Sequence, residues 1–271
     1  MSIDGLSESR QRELWRRLET VNDPELDEPV TEMGFIERAE IAQDGGVEVD
    51  FRLPTYWCSP NFAFLMLEDI RVALEALSWS PRFHIALHDH MFAEEVNQGI
   101  AAGKSFSEIF DTLTSEGEID LEAVRAKFRL KAFKRRQEAV ILSLRANGFS
   151  EDAIAAMALA DFDALRGGQA DTVKVRLRYR EALVARRHGL RPDDKVIVDW
   201  EGKPVDANRL AAYLGELRSV RINMEFNGAL CRGLKQTRYK EMEMIDGEPT
   251  LVDFIVGRVP APTTLSHTTD H

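Results

Sequence analysis

The feature that most constrains the fold is a change of hydrophobic period within the first 90 residues. Residues 46–53 (GVEVDFRL) contain a strict alternation of apolar and polar side chains, which is typical of a strand with one buried face. Residues 61–77 instead repeat apolar side chains at helical spacing, and residues 82–88 alternate again. A strand–helix–strand succession is therefore predicted.

Two further segments complete this N-terminal unit. Residues 35–42 form a second strand candidate, and the glycine-rich junction Asp44-Gly45-Gly46 predicts a hairpin between it and residues 46–53. Residues 7–20 (SESRQRELWRRLET) read as a short amphipathic helix. The order of elements is thus α-β-β-α-β.

From residue 91 onward the pattern becomes mainly helical. Helices are predicted over residues 91–103, 105–115, 121–147, 150–160, 172–188 and 207–217. Strand candidates at residues 195–200 and 250–256 indicate a small mixed α/β region near the C-terminus. The predicted fold class is α+β, with an N-terminal domain at residues 1–90, a mostly helical accessory domain at residues 91–259 and a disordered tail at residues 260–271.

Charge and hydropathy exclude several classes of protein. The formal net charge of -11 argues against binding to nucleic acid or to anionic membranes, because both depend on a basic field. No run approaches the roughly 18–20 apolar residues of a membrane span, and the start MSIDGLSESRQREL lacks the apolar core of a signal peptide. We therefore expect a cytoplasmic protein, in which both cysteines are free thiols.

One of the two cysteines, Cys58, lies between a predicted strand and a predicted helix. Ser59 or Asn61 is suited to cap that helix, and Pro60 to its first turn. The free N–H groups and the dipole at a helix start stabilise a negative charge, and the thiolate is the form that binds metal. The alternative is that Cys58 is a small buried apolar side chain.

The residues around Cys58 carry a resemblance to a known family. The stretch Asn22-Asp23-Pro24-Glu25-Leu26, the segment Met33-Gly34-Phe35-Ile36, a hairpin and then Pro54-Thr55-Tyr56-Trp57-Cys58 follow in this order. Together they resemble the small metal–sulfur cluster assembly factor domain of PaaD-like and SufT-like proteins. The resemblance covers roughly residues 10–90. Two departures are a Thr–Cys spacing one residue shorter than usual and Ser59 directly after the cysteine.

The resemblance implies both a role and a site. Members of that family help to load iron–sulfur clusters into client proteins, so iron or a labile iron–sulfur cluster is the implied cofactor. The positions carried over are Asp23, Glu25, Thr55 and Cys58. Everything after residue 90 lies outside the resemblance.

Histidine and acidic residues are concentrated just after residue 83. His84 and His88 share one face of the predicted strand, and His90 starts the next element. Imidazole together with carboxylate suits iron or zinc. The candidate metal ligands are His84, His88, His90 and Glu94, with Asp89 and Glu95 close by. The alternative is that these histidines are polar surface or structural residues.

The second cysteine, Cys231, is preceded by Asn227-Gly228, which suggests a turn, and followed by Arg232, Lys235 and Arg238. Nearby cations predict a lowered pKa for the Cys231 thiol. We expect Cys231 to cooperate with Cys58, or else to be a semi-buried thiol. Since two thiols cannot complete a four-cysteine cluster, a homodimer or a client protein would supply the rest.

Basic side chains are concentrated in two helical segments of this acidic chain. One is residues 125–136, and the other carries Lys174, Arg176, Arg178, Arg180, Arg186 and Arg187. One interpretation is that these are solvated helix faces that pair with the many Glu and Asp residues. The other is a docking surface for an acidic client.

These observations favour an accessory factor for iron–sulfur cluster or iron-centre maturation over an enzyme. The sequence contains no phosphate-binding loop, dinucleotide fingerprint, nucleophile elbow or zinc-protease motif. The factor would carry metal on Cys58 and deliver it by thiolate exchange to a client metalloprotein, for which a metal-dependent oxygenase is a candidate. The alternatives are a metalloenzyme with a His/carboxylate site at residues 84–95 and a metal-free chaperone or adaptor.

Overall fold

The protein has the α+β architecture that the sequence predicts. The computed structural model describes residues 3–110, 120–187, 189–239, 244–245 and 248–249. The predicted strand at residues 250–256 and the predicted tail at residues 260–271 lie outside the described residues. No helix of the described part of the chain is long and apolar enough to cross a membrane.

The N-terminal unit is built around a three-stranded sheet of order β3-β4-β5. Its elements are α1 (Ile3–Leu18), β1 (Asn22–Asp23), β2 (Glu28–Pro29), β3 (Ile36–Ile41), β4 (Val47–Arg52), α2 (Pro60–Glu75) and β5 (Phe83–His88). The pair β3–β4 is the predicted antiparallel hairpin, and Gly45 at its turn has a φ of 83°. Strand β5 pairs in parallel with β4 after the crossover through α2. The described β1 and β2 form a separate antiparallel ribbon.

Alternation along the strands determines which side chains form the core of this unit. Val47, Val49 and Phe51 of β4 are buried, as are Ile85 and Leu87 of β5. Helix α2 covers this face with the buried side chains Ala63, Phe64, Leu65, Met66, Leu67, Ile70, Ala73 and Leu74. Polar residues of the same strands therefore point to the other face of the sheet.

The same core continues beyond residue 90, where the sequence analysis placed a domain boundary. Helices α3 (Ala93–Ala101) and α4 (Phe106–Phe110) add Val96, Ile100, Phe106 and Phe110 to it. The ring of Phe106 contacts Phe64 of α2 with centroids 5.6 Å apart. The boundary at residue 90 stays a prediction.

A second apolar core belongs to the helical extension. Its elements are α5 (Leu121–Ala146), α6 (Glu151–Ala156), α7 (Leu159–Ala164), α8 (Ala170–Arg186) and α9 (Ala207–Tyr239). Gln137 of α5 is fully buried, donates to the hydroxyl of Tyr179 at 2.7 Å and accepts from that of Tyr213 at 2.6 Å. Each of these three buried polar side chains thus has a hydrogen-bond partner, as is usual for polar groups in a protein interior. Two short strands, β6 (Met244–Ile245) and β7 (Glu248–Pro249), follow α9.

The extension differs from the sequence prediction in three places. The helix predicted at residues 150–160 is interrupted after Ala156, because Leu159 donates its backbone N–H to the carbonyl of Asp194. Residues 195–200 form isolated bridges rather than a regular strand. Helix α9 runs on to Tyr239, so the turn predicted at Asn227-Gly228 is wrong.

Candidate functional site

Cys58 lies on the loop that joins β4 to α2, immediately before the helix start. The hydroxyl of Thr55 is 3.0 Å from the Cys58 sulfur, and the backbone N–H of Cys58 donates to the Thr55 carbonyl at 3.4 Å. Ser59 is the N-cap residue, but its side chain makes no capping hydrogen bond, and Pro60 stands in the first turn. The helix start next to the thiol thus has no side-chain cap.

The thiol is half-buried, and its neighbours on the loop are exposed. Tyr56 is 49% and Trp57 is 73% exposed, which is unusual for large aromatic side chains. Cys58 itself packs against the N-terminal core. The sulfur therefore stands between the apolar interior and a surface that carries two exposed rings.

His90 binds the backbone of the loop that carries Cys58. Its side chain is buried, and the backbone N–H of Phe92 donates to Nδ1 at 3.2 Å. Since Nδ1 accepts, Nε2 carries the proton and donates to the Cys58 carbonyl at 2.7 Å. Burial lowers the pKa of His90 and the nearby Arg238 charge lowers it further. Both ring nitrogens are occupied within the protein, so His90 acts here as a support of the loop.

The other predicted histidine and carboxylate ligands do not gather around a common point. His84 is exposed on β5, whereas His88 shares a hydrogen bond of 3.0 Å with Asp50 of β4. Glu94 is exposed on α3 and accepts from Gln98. Among the residues described, no three His, Cys, Asp or Glu side chains form a group that could hold a metal ion.

Asp23 is buried in the turn that the resemblance singled out. Its Oδ1 accepts the backbone N–H groups of Glu25 at 2.8 Å and Leu26 at 2.9 Å. The side chain is 8% exposed, and this burial raises the pKa of Asp23 to about 6, against the lowering effect of the two hydrogen bonds. A carboxyl group that titrates near neutral pH therefore lies at the site.

Glu25 faces the helical extension rather than the solvent. Its Oε1 accepts from Nζ of Lys131 on α5 at 3.3 Å and from Nδ2 of Asn227 on α9 at 3.4 Å. Asn227 precedes Cys231 by one helical turn, so its contact with Glu25 brings this part of α9 to the acidic turn.

Cys231 packs, like Cys58, against the core of the N-terminal unit. Burial raises the pKa of the Cys231 thiol to about 11, and the charges of Asp23, Cys58 and Glu25 raise it further. The prediction of a lowered pKa for the Cys231 thiol is wrong, because burial has the largest effect on it. Arg232 has a smaller, lowering effect, and its guanidinium donates to Glu28 at 2.6 Å.

The structure thus brings together five of the residues that the sequence proposed. Asp23 and Glu25 come from the acidic turn, Thr55 and Cys58 from the loop before α2, and Cys231 from the extension. Cys58 and Cys231 pack against the same core, and Asn227 of α9 contacts Glu25 of the acidic turn.

Asp27 was not among the predicted site residues, although the basic helices that bind it are visible in the sequence. The Asp27 carboxylate is 4% exposed and forms ion pairs with Arg136 of α5 and Arg178 of α8. Arg135 pairs with Glu28 at 3.0 Å. The interpretation that these basic side chains pair with acidic residues of the same chain is confirmed at these three arginines. The signal was the run of acidic residues at positions 25–28, opposite in charge to residues 125–136.

Comparison with known families finds a match within the N-terminal unit. Residues 11–82 match the family model described as iron-sulfur cluster assembly protein. The matched range includes Asp23, Glu25, Thr55 and Cys58, but not Cys231 or any residue of the extension. The match supports a role in iron–sulfur cluster assembly. No curated protein gives a significant match to the chain.

Proposed function

We propose that the protein is an accessory factor that carries iron or an iron–sulfur cluster as cargo and delivers it to a client metalloprotein. The observation that carries this proposal is the position of Cys58. Its half-buried sulfur lies 3.0 Å from the Thr55 hydroxyl at an uncapped helix start, within the domain that matches the assembly family. Cys231 of the extension packs against the same core.

The donor set suits a cargo that is held and then released. Thiolates are the ligands that bind iron–sulfur clusters most often. The Thr55 hydroxyl is placed to donate to a Cys58 thiolate. Two thiols leave coordination positions for other ligands, which a client or a second copy of the chain would fill. Incomplete ligation by the carrier favours transfer.

Delivery would proceed by exchange of thiolates. Each client thiol that binds the metal gives up a proton, and each carrier thiolate that leaves takes one up, so that the oxidation state of the metal does not change. Cys231 is suited to the leaving role, because a thiol with a pKa of about 11 is almost fully protonated at neutral pH once it is free. Cys58 would bind the cargo first and Cys231 would close the site.

Further parts of the proposal concern specificity. The resemblance to PaaD-like and SufT-like proteins favours a dedicated client in the cytoplasm, such as a metal-dependent oxygenase. The exposed rings of Tyr56 and Trp57 beside the thiol offer an apolar contact for that client. The helical extension, which lies outside the family match, would select the client.

The experiment is anaerobic reconstitution of the full chain with ferrous iron and sulfide, followed by iron and sulfide analysis and transfer to an apo-ferredoxin. We expect the wild type to take up both and to transfer them. Cys58→Ala should lose most of the uptake, and Cys231→Ala should retain less cargo than the wild type. Thr55→Val tests the hydroxyl contact without a large change of volume.

His88→Ala serves as the matched control, because His88 is a candidate ligand outside the thiol site. Equal uptake by wild type and Cys58→Ala would contradict the proposal. Metal that is lost in His88→Ala but kept in Cys58→Ala would favour the metalloenzyme alternative. A client captured equally by wild type and Cys58→Ala without any metal would favour the adaptor. Sedimentation before and after reconstitution tests the homodimer.

A further inference from the structure

One buried carboxylate joins the assembly domain to two helices of the extension. Asp27 accepts from Nε of Arg136 at 2.8 Å through Oδ2 and from its Nη2 at 2.6 Å through Oδ1. Nη2 of Arg178 donates to the same Oδ1 at 3.0 Å and to the Asp27 carbonyl at 2.7 Å. The two arginines are themselves connected, because Nη1 of Arg136 donates to the Arg178 carbonyl at 3.1 Å.

The residues on both sides of Asp27 are held by the same helices. Arg135 of α5 donates to the Leu26 carbonyl and to Oε1 of Glu28. Arg232 of α9 donates to the other oxygen of Glu28 at 2.6 Å. The turn from residue 25 to residue 28 thus meets α5, α8 and α9 at once.

This turn also contacts α9 on both sides of Cys231. Asn227 lies one helical turn before Cys231 and donates to Glu25 at 3.4 Å. Arg232 directly follows Cys231 and donates to Glu28. The α9 residues on both sides of the Cys231 thiol therefore bind the two acidic residues that flank Asp27 in the turn.

We propose that Asp27 is a positioning residue of the cargo site, which holds the extension against the acidic turn and so places Cys231 beside Cys58. The predicted effect of Asp27 on cargo uptake rests on the proposed function. The predicted effect of Asp27 on the distance between the two thiols does not. Asp27 is suited to the task because it is buried at 4% exposure and pairs with two arginines. Removing one partner of such a buried pair leaves the other charge without compensation.

Asp27→Asn is the informative substitution. The Asp27 φ of 54° lies in the left-handed region, which asparagine tolerates as well as aspartate does, so the backbone is not strained by the change. The amide keeps the size of the side chain and removes its charge. Glu32→Gln is the matched control, because Glu32 pairs with Lys174 of α8 while both side chains are about 60% exposed.

The readout is cross-linking of the two thiols with dibromobimane, a short reagent with two thiol-reactive arms, at about pH 9. The ratio of cross-linked to singly alkylated chains, measured by intact mass, depends on the effective concentration of the second thiol. We expect this ratio in Asp27→Asn to fall by about tenfold or more relative to wild type and Glu32→Gln. Thermal unfolding confirms that each variant is folded, and Arg178→Gln replaces Asp27→Asn if the latter does not fold.

A second readout separates positioning from a general loss of stability. In the reconstitution experiment, Asp27→Asn should lower cargo uptake in a chain with Cys231 but have no further effect in Cys231→Ala. An unchanged cross-linking ratio in a folded Asp27→Asn or Arg178→Gln chain would overturn the inference. If the wild type takes up no cargo but the ratio falls as expected, the proposed function fails and the placement of Cys231 by Asp27 stands.

Discussion

The buried imidazole of His90 donates to the backbone carbonyl of Cys58 across 2.7 Å. One residue further, the backbone N–H of Met91 donates to the Tyr56 carbonyl at 2.9 Å. These two bonds hold the cysteine loop to the segment that follows β5. The loop geometry therefore depends on residues outside the range that matches the assembly family.

We expect His90→Phe to destabilise this loop, because it removes the donor to Cys58 and the acceptor for the Phe92 N–H. Leaving buried polar groups without partners should lower the free energy of unfolding by about 2 kcal/mol or more, measured by urea denaturation. His84→Phe is the control, since the exposed His84 should change the stability by less than about 0.5 kcal/mol. Equal stabilities of the two variants would show that the Cys58 contact is weak.

Asp23 should make the stability of the protein fall as the pH rises. Its pKa is about 6 in the folded protein and 3.8 in the reference state, so between these values the folded state binds more protons. The cost of ionising the buried carboxyl group therefore grows as the pH rises through 6, is nearly complete about one pH unit higher, and is on the order of 3 kcal/mol.

Asp23→Asn tests this pH dependence, because the amide oxygen still accepts from Glu25 and Leu26 but carries no charge. We expect the variant to be more stable than wild type at neutral pH and to lose this advantage as the pH falls towards 4. The measurement is the difference between the two urea curves at each pH, in which other titrating groups cancel. A constant difference from acid to neutral pH would contradict a raised pKa.

The local elements of the N-terminal unit could be predicted because periodicity and turn chemistry determine them. Alternation at residues 46–53 and the glycines after Asp44 gave the hairpin β3–β4, and the helical spacing at residues 61–77 gave α2 within two residues at its C-terminal end.

Long-range relationships were less visible in the sequence. His84 and His90 come from one short segment, but His84 points outward from β5, whereas His90 is buried after Asp89, whose φ of 48° turns the chain. Asn227-Gly228 predicted a turn from local propensity, yet helix α9 continues because its side chains contact the N-terminal unit. Pairing partners distant in sequence determine both outcomes.

Cys231 should react slowly with alkylating reagents despite the arginine next to it. With a pKa of about 11, only about 0.1% of the thiol is ionised at pH 8, and the thiolate is the reactive form. Iodoacetamide labelling followed by peptide mass spectrometry should give a midpoint above about pH 10 for Cys231. In Cys58→Ala the midpoint should move to lower pH, since one of the charges that raise it is absent. A midpoint near that of a free thiol would contradict the burial of Cys231.

Glu28 should stabilise the contact between the N-terminal unit and the extension more than an exposed ion pair does. Its two carboxylate oxygens pair with Arg135 of α5 at 3.0 Å and Arg232 of α9 at 2.6 Å, and the Glu28 side chain is 21% exposed. A carboxylate shared by the partly buried Arg135 and the more exposed Arg232 loses two charge-assisted hydrogen bonds when it is neutralised. We expect Glu28→Gln to lower the free energy of unfolding by about 1–3 kcal/mol.

The same measurement on Glu32→Gln provides the comparison, because the pair of Glu32 with Lys174 is exposed on both sides and contributes at most about 1 kcal/mol. High salt should weaken the Glu32 contribution more than that of Glu28, since exposed charges are screened first. If both variants lose the same small amount of stability and respond equally to salt, the Glu28 pairs contribute no more to stability than an exposed surface pair does. If Glu28→Gln alone is destabilised, the pairing of the acidic turn with Arg135 and Arg232 contributes to the stability of the fold.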